Sequence, residues 1–415
     1  MSLGEGASCR IAYKAYSTGV IQSNVQPDSS IDPGAADGQI LRRTSSTLSL
    51  TKETYQSAEV RTDRQIGDFR HGVKRVTGSL NGELSPGTYW DFVEAVLRGT
   101  GTAAVAKSEA ELTSVAADNA TSKFTFGGGD PVNEGYRVGM VIRFTNLSEA
   151  LNNSKNFLIT GFSGASNRDV SVHPAPTTMS ADTAFNVTSV GKRVFTPASG
   201  HVSRKLAIEH YFADLDIYEL FTECRVGGMN FNLPATGMAT VEIPMMGRDM
   251  ETGSAGSAPF FTAPADVTGT GILAAVNGLI RVQGVNQGVI TGAQVNINLS
   301  PESPAVVGQN FVPEIFLGRT QVSGQITAFF EDLTLVNYFR NETEISVLLY
   351  LLASSADAAD AMTIFLPRVK LGNAQAGIEG EGGVPLTMPF QALRYLGSGA
   401  GIDQTTIAIC DTSAS

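Results

Sequence analysis

Apolar residues fall at every second position in two separated stretches of the chain, and the two stretches match. Residues 66–84, IGDFRHGVKRVTGSLNGEL, align with 312–330, VPEIFLGRTQVSGQITAFF, at a constant offset of 246. Ile66 meets Val312, Asp68 meets Glu314, Phe69 meets Ile315, Val76 meets Val322, Gly78 meets Gly324 and Leu80 meets Ile326. Alternation with period two predicts a strand buried on one face. An upstream strand candidate precedes each copy, Leu48–Leu50 and Val295–Ile297. In both copies the period then switches to that of a helix. The first helix is expected with Ser85 as N-cap, Pro86 at N1 and Gly99 past its end, burying Tyr89, Phe92, Val93, Val96 and Leu97. The second is expected with Asp332 as cap and Leu335, Tyr338 and Phe339 on the apolar face.

A second matched pair closes each unit. Arg225-Val226 aligns with Arg368-Val369, Asn230 with Asn373, and VEIP (241–244) with LTMP (386–389). Val76 to Val226 spans 150 residues and Val322 to Val369 spans 47, so the first copy carries about 103 more. Short strand candidates fill that excess: 123–126, 140–144, 157–160, 170–172 and 185–190, divided by turn-rich stretches such as GGGD and LNNSKN. The reading is a mainly β chain of two tandem units, each with a flanking helix, plus a small inserted all-β domain. Its expected divisions are an extended arm (1–38), unit one (39–102 and 199–255), the insert (103–198), a linker (256–270) and unit two (271–415). In the arm, Ile11, Tyr13 and Val20 are candidates to dock on a neighbour, the alternative being a loose terminus.

Composition narrows the chemistry. The chain has 415 residues, 42% hydrophobic, 17% charged, with 44 glycines. This favours short strands and turns over long charged helices. Forty acidic against 29 basic residues give a net charge of -11, which argues against nucleic-acid binding by counterion release. Cys9, Cys224 and Cys410 are far apart and without a CxxC pair, so they read as thiols and not as a disulfide framework or zinc site. The start lacks the pattern of a secretory signal, and the apolar run 347–353 is too short to span a bilayer, so a soluble protein of a reducing cytoplasm is expected.

Nothing in the sequence points to catalysis, a cofactor or a metal. GGGDPVNEG has no following Gly-Lys-Ser/Thr and reads as a turn cluster. His71, His173, His201 and His210 show no metal-ligand spacing, and no GxSxG elbow occurs. His210, beside carboxylates, reads as an ordinary strand histidine. The most charged local stretch holds Arg61, Asp63, Arg64, Asp68, Arg70, His71, Lys74 and Arg75. With Glu314 as counterpart of Asp68, it reads as an intersubunit or inter-ring salt-bridge loop, solvated loop charge being the alternative.

The runs 47–99, 208–250, 312–335 and 365–372 resemble the major tail tube proteins of long-tailed, siphovirus-type bacteriophages, here with the tube domain duplicated. The resemblance implies β-sandwich units closing partly into a barrel, whose inner sheets join side by side around a channel. It also implies that the hairpins at 53–72 and 301–318 reach neighbouring subunits. Implied partners are copies of itself in stacked rings, a tail tape measure protein, tail terminator and distal tail proteins, and phage DNA sliding through without specific binding or membrane insertion. The duplication makes the expected rings homotrimeric and pseudo-hexameric, a ring of six chains with the second unit outside being the alternative. The implied place is the virion tail, after synthesis and assembly in the host cytoplasm. The acidic excess suggests a negative channel wall, and the insert is expected outside the tube. Competing readings are a secreted or virion-surface β-rich adhesin that binds glycans, a contractile-tail or secretion-system tube, and, more remotely, an enzyme.

Overall fold

The computed structural model describes residues 5–16, 34–287, 290–377 and 382–414. Short bridging pieces aside, the two units each contribute eight strands in the same order. Unit one has β1 (Cys9–Ala15), β2 (Ser49–Gln56), β3 (Phe69–Glu83), β4 (Leu206–Phe212), β5 (Ile217–Val226), β6 (Gly228–Pro234), β7 (Thr240–Gly247) and β8 (Asp249–Ser254). Unit two has β9 (Leu279–Val282), β10 (Ile290–Asn298), β11 (Gln321–Phe329), β12 (Ile345–Leu352), β13 (Ala361–Leu371), β14 (Gln375–Ala376), β15 (Pro385–Ala392) and β16 (Ala408–Asp411).

Each unit is a two-layer antiparallel sandwich. One layer runs β1-β4-β5-β8 in unit one and β9-β12-β13-β16 in unit two. The other runs β2-β3-β7-β6 and β10-β11-β15-β14. Alternating apolar residues face inward from both layers: Val76, Leu80, Ile243 and Phe231 in unit one, Val322, Ile326, Met388 and Val295 in unit two. Burying each contributes about 1.5–3 kcal/mol. The matched glycines are steric necessities. A Cβ at Gly78 would stand 2.4 Å from the Thr47 carbonyl oxygen, and one at Gly324 would stand 2.1 Å from that of Gln294.

The repeat holds at the level of single rungs. Leu50 faces Val76 as Ile297 faces Val322, and Gly247 faces Val76 as Ala392 faces Val322. A bulge beside Leu206 in the β4–β5 ladder recurs beside Ile345 in the β12–β13 ladder. These rungs make Cys224 the counterpart of Val369, Arg225 of Lys370 and Asn230 of Gln375. The sequence pairings of Arg225 with Arg368 and Asn230 with Asn373 are therefore two residues out. A slip of two preserves the alternation, so periodicity cannot detect it.

Ile11 and Tyr13 do not wait for a neighbour: both are buried in unit one, where β1 pairs with β4. Tyr13 packs 4.8 Å from the Phe92 ring and its hydroxyl donates to Asp91. Val20 lies outside the described residues. Helix α1 (Trp90–Leu97) begins later than expected, because Ser85 is buried and bonds the Thr88 hydroxyl instead of capping. It buries Phe92, Val93, Val96 and Leu97 and ends at Arg98 in the left-handed region. Helix α2 (Thr334–Arg340) is nearly superficial, burying Leu335, while the Asp332 carboxylate accepts the Thr334 N–H at 2.7 Å.

Between α1 and β4 the chain builds a separate eight-stranded sheet from residues 106–189. Its core packs Phe124, Phe144, Phe157 and Phe185 in tilted and edge-on contacts. Although it leaves from unit one, it packs on unit two. Val138, Val141 and Leu158 meet Leu348, Tyr350 and Phe365 of the β12–β13 face, and Lys192–Phe195 pairs with β16.

Candidate assembly interface

The two sandwiches are joined edge to edge. Strand β6, last of unit one's second layer, pairs with β10, first of unit two's, over seven rungs from Gly228–Asn298 to Pro234–Gly292. The result is one continuous layer, β2-β3-β7-β6-β10-β11-β15-β14. Its outer borders are unsealed: among the described residues β2 has a ladder with β3 alone and β14 with β15 alone. The face turned away from the core is polar. One register line crosses it through Asn81, Glu242, Asn230, Asn296, Ser323 and Gln391, another through Glu83, Thr240, Asn232, Gln294, Gln325 and Pro389. Along both lines the charged groups are Glu83 and Glu242; the rest are amides, hydroxyls and a proline.

The same lines measure the slant of the strands. Starting at Ser323 and stepping across β10, β6 and β7 leads to Asn81 on β3. The repeat counterpart of Ser323 is Thr77, four residues away. Four strands thus bring four residues of shear.

A second contact crosses the joint. The β10–β11 hairpin, pinned by a rung between Glu302 and Phe316, folds over the end of unit one. The Lys74 N–H donates to the Asn310 carbonyl at 2.9 Å, and the Arg248 Nε donates to that of Val312 at 2.8 Å. Val312 and Ile315 are fully buried against Val73 and Met246. Glu314 accepts a hydrogen bond from Lys205 and forms an ion pair with Arg225, each at 3.1 Å. Lys205 also holds Glu223 at 2.6 Å, and the fully buried Arg248 pairs with Glu223. Lys74 pairs with Asp249. Charges this deep persist because each is matched; an orphaned one would be costly. Burial pushes the Glu314 carboxyl up, but Arg225, the Ile315 N–H and Lys205 outweigh it and hold the group below its ordinary value.

The equivalent hairpin of unit one, between β2 and β3, has the same register, since Tyr55–Arg70 corresponds to Glu302–Phe316. It projects into solvent. Ile66 is 66% exposed and Phe69 57%, where their counterparts are buried. Arg61 lies 3.4 Å from Asp63 and 3.9 Å from Glu59, Asp68 holds Arg70 at 2.7 Å, and Arg64 turns the tip with a positive φ. Arg61, Asp63, Arg64, Asp68 and Arg70 thus share one projecting hairpin, and Glu314 sits on the docked one. Sequence reasoning missed Lys205, Glu223, Arg225 and Arg248. The one available signal was a charge interrupting an apolar alternation, as Arg248 does after VEIPMMG.

The other singled-out groups are structural. Asp130 in GGGDPVNEG accepts the Val132 N–H as a turn. His210 is buried against Ser46, and burial, helped by Arg43, lowers its pKa to about 4. Cys9, Cys224 and Cys410 are free. Among the described residues, no cluster of His, Cys, Asp or Glu could hold a metal, and no helix is long and apolar enough to cross a membrane.

A doubled β-sandwich with one internal edge joint and two open borders defines a structural subunit built to polymerise. The chain belongs to the phage tail tube protein family, whose model matches residues 6–392. It is a component of the virion tail that assembles with itself into a tube. No curated protein matches it.

Proposed function

We propose that three chains close a ring of six sandwich units, that rings stack into the tail tube, and that DNA passes through the bore during ejection. The β6–β10 joint carries this reading. It is a complete, covalently tethered example of one unit's last edge meeting the next unit's first, and the open β14 and β2 borders are the same two edges. Pairing them between chains repeats the joint and seals both open borders of the continuous layer. The slant favours closure. One residue of shear per strand is the ratio found in eight-stranded barrels of shear eight, whose strands tilt about 36°, within the range of about 35–45° that a closed barrel needs.

In such a ring the polar face of the continuous layer lines the bore. It offers passing phosphates amides and hydroxyls with two carboxylates per chain along the lines traced, and so a mildly negative wall, of the sign expected from net charge. The inserted domain, packed on the opposite layer of unit two, lies outside. Synthesis in the host cytoplasm and contacts with tape measure, terminator and distal tail proteins follow from the same reading.

Electron microscopy of the purified, self-assembled protein tests it. The expected image is a hollow ring with true threefold and approximate sixfold symmetry. A ring of six chains overturns the trimer, and a monomer without a bore at high concentration overturns the tube subunit.

A further inference from the structure

The two hairpins share register and sequence pattern and differ by one residue in length, yet one is docked and the other bare. The docked hairpin lies on the unit beyond its own β10 edge. The bare one stands beside the open β2 edge, where the chain itself supplies no unit. We propose that the β2–β3 hairpin docks on unit two of a second copy of this chain, with Asp68 seated on Lys370. This rests on the ring reading and adds to it the residues of a contact between chains.

The rungs that relate the units also relate the two docking sites. Asp68 is the counterpart of Glu314, and Lys370 of Arg225, the cation that Glu314 holds at 3.1 Å. Among the described residues the Lys370 ammonium has no carboxylate within 4 Å, although its charge helps to hold Glu344 below its ordinary value. At the positions of Lys205 and Glu223, unit two carries Glu344 and Arg368, the same ion pair with its signs exchanged, at 2.6 Å. That exchange places Glu344 where it can receive Arg70, the present partner of Asp68. Unit two also carries Arg319 and Gln391 where unit one has Val73 and Met246, so Ile66 and Phe69 lie along aliphatic stems there and not in a fully apolar seat. Docking covers both exposed apolar side chains and brings Lys370 a carboxylate at contact distance.

Charge exchange tests the contact. D68K and K370E are each expected to cut the yield of rings several-fold in micrographs and sedimentation, and the D68K/K370E double variant is expected to restore it. Circular dichroism and the thermal midpoint of the dispersed chains should stay unchanged, since both side chains are on the surface. Carbodiimide treatment of unaltered rings should link Asp68 to Lys370 between chains, read by mass spectrometry. Rings formed normally by both single variants, or an assembled tube without that cross-link, overturn the docking while leaving the ring intact. Absence of rings from the unaltered protein overturns both.

Discussion

The hairpins at 56–69 and 303–315 are one structural element in two circumstances. The second has a neighbour beside it and turns its apolar and acidic residues into buried, paired ones, with Val312 and Ile315 inaccessible and Glu314 between two cations. The first has none, and Ile66, Phe69 and Asp68 stay in solvent, Asp68 pairing locally with Arg70. Intrinsic preference did not decide the outcome. Presence of an adjoining unit did, so under the proposed docking the surface of the single chain becomes interface in the ring.

The comparison can be broken at its strongest point first. Arg248→Met leaves the buried Glu223 carboxylate short of a partner and should cost about 3–5 kcal/mol in denaturant unfolding. A near-neutral result means that the docked hairpin does not depend on its ion network. Next, Ile315→Ala should cost about 2–5 kcal/mol in the dispersed chain, whereas Phe69→Ala should leave its unfolding curve in place and reduce ring yield. Equal costs would erase the distinction between the hairpins. Glu314→Gln should cost about 1–3 kcal/mol at neutral pH. Because this carboxyl is held below its ordinary value, its contribution is fully present above the unfolded pKa of about 4.3 and is lost as pH falls through the folded value. The gap between wild type and E314Q should thus close on acidification, and a gap that widens contradicts the assignment. The smallest effect is expected for Asp68→Ala, whose exposed ion pair contributes little in isolation; an unchanged thermal midpoint is the outcome, and a clear drop would show that the bare hairpin is already anchored within its own chain.

What could be read in the sequence followed the range of the interaction. The β3/β11 match was legible because strands buried on one face impose a period of two, and Val76–Gly78 and Val322–Gly324 sit at equivalent rungs. The extent of the first sandwich was not. Strand β1 reaches its partner β4 across nearly 200 residues, and a GSPD-rich neighbourhood hid it. Helix α1 was recognised by its apolar face but started too early, since a buried Ser85–Thr88 bond replaced the cap. The ion network was invisible because its members come from β4's threshold, β5, the turn after β7 and the β10–β11 hairpin. No local spacing unites Lys205, Glu223, Arg248 and Glu314.

The internal β6–β10 joint also bears on how fast a tube can grow. In the proposed ring one of every two seams is made as the polypeptide folds, at the high effective concentration of tethered partners and independent of how dilute the protein is. Encounters between separate molecules then need supply only the remaining half, so the rare early step of nucleation involves fewer collisions than a ring of single-unit chains requires.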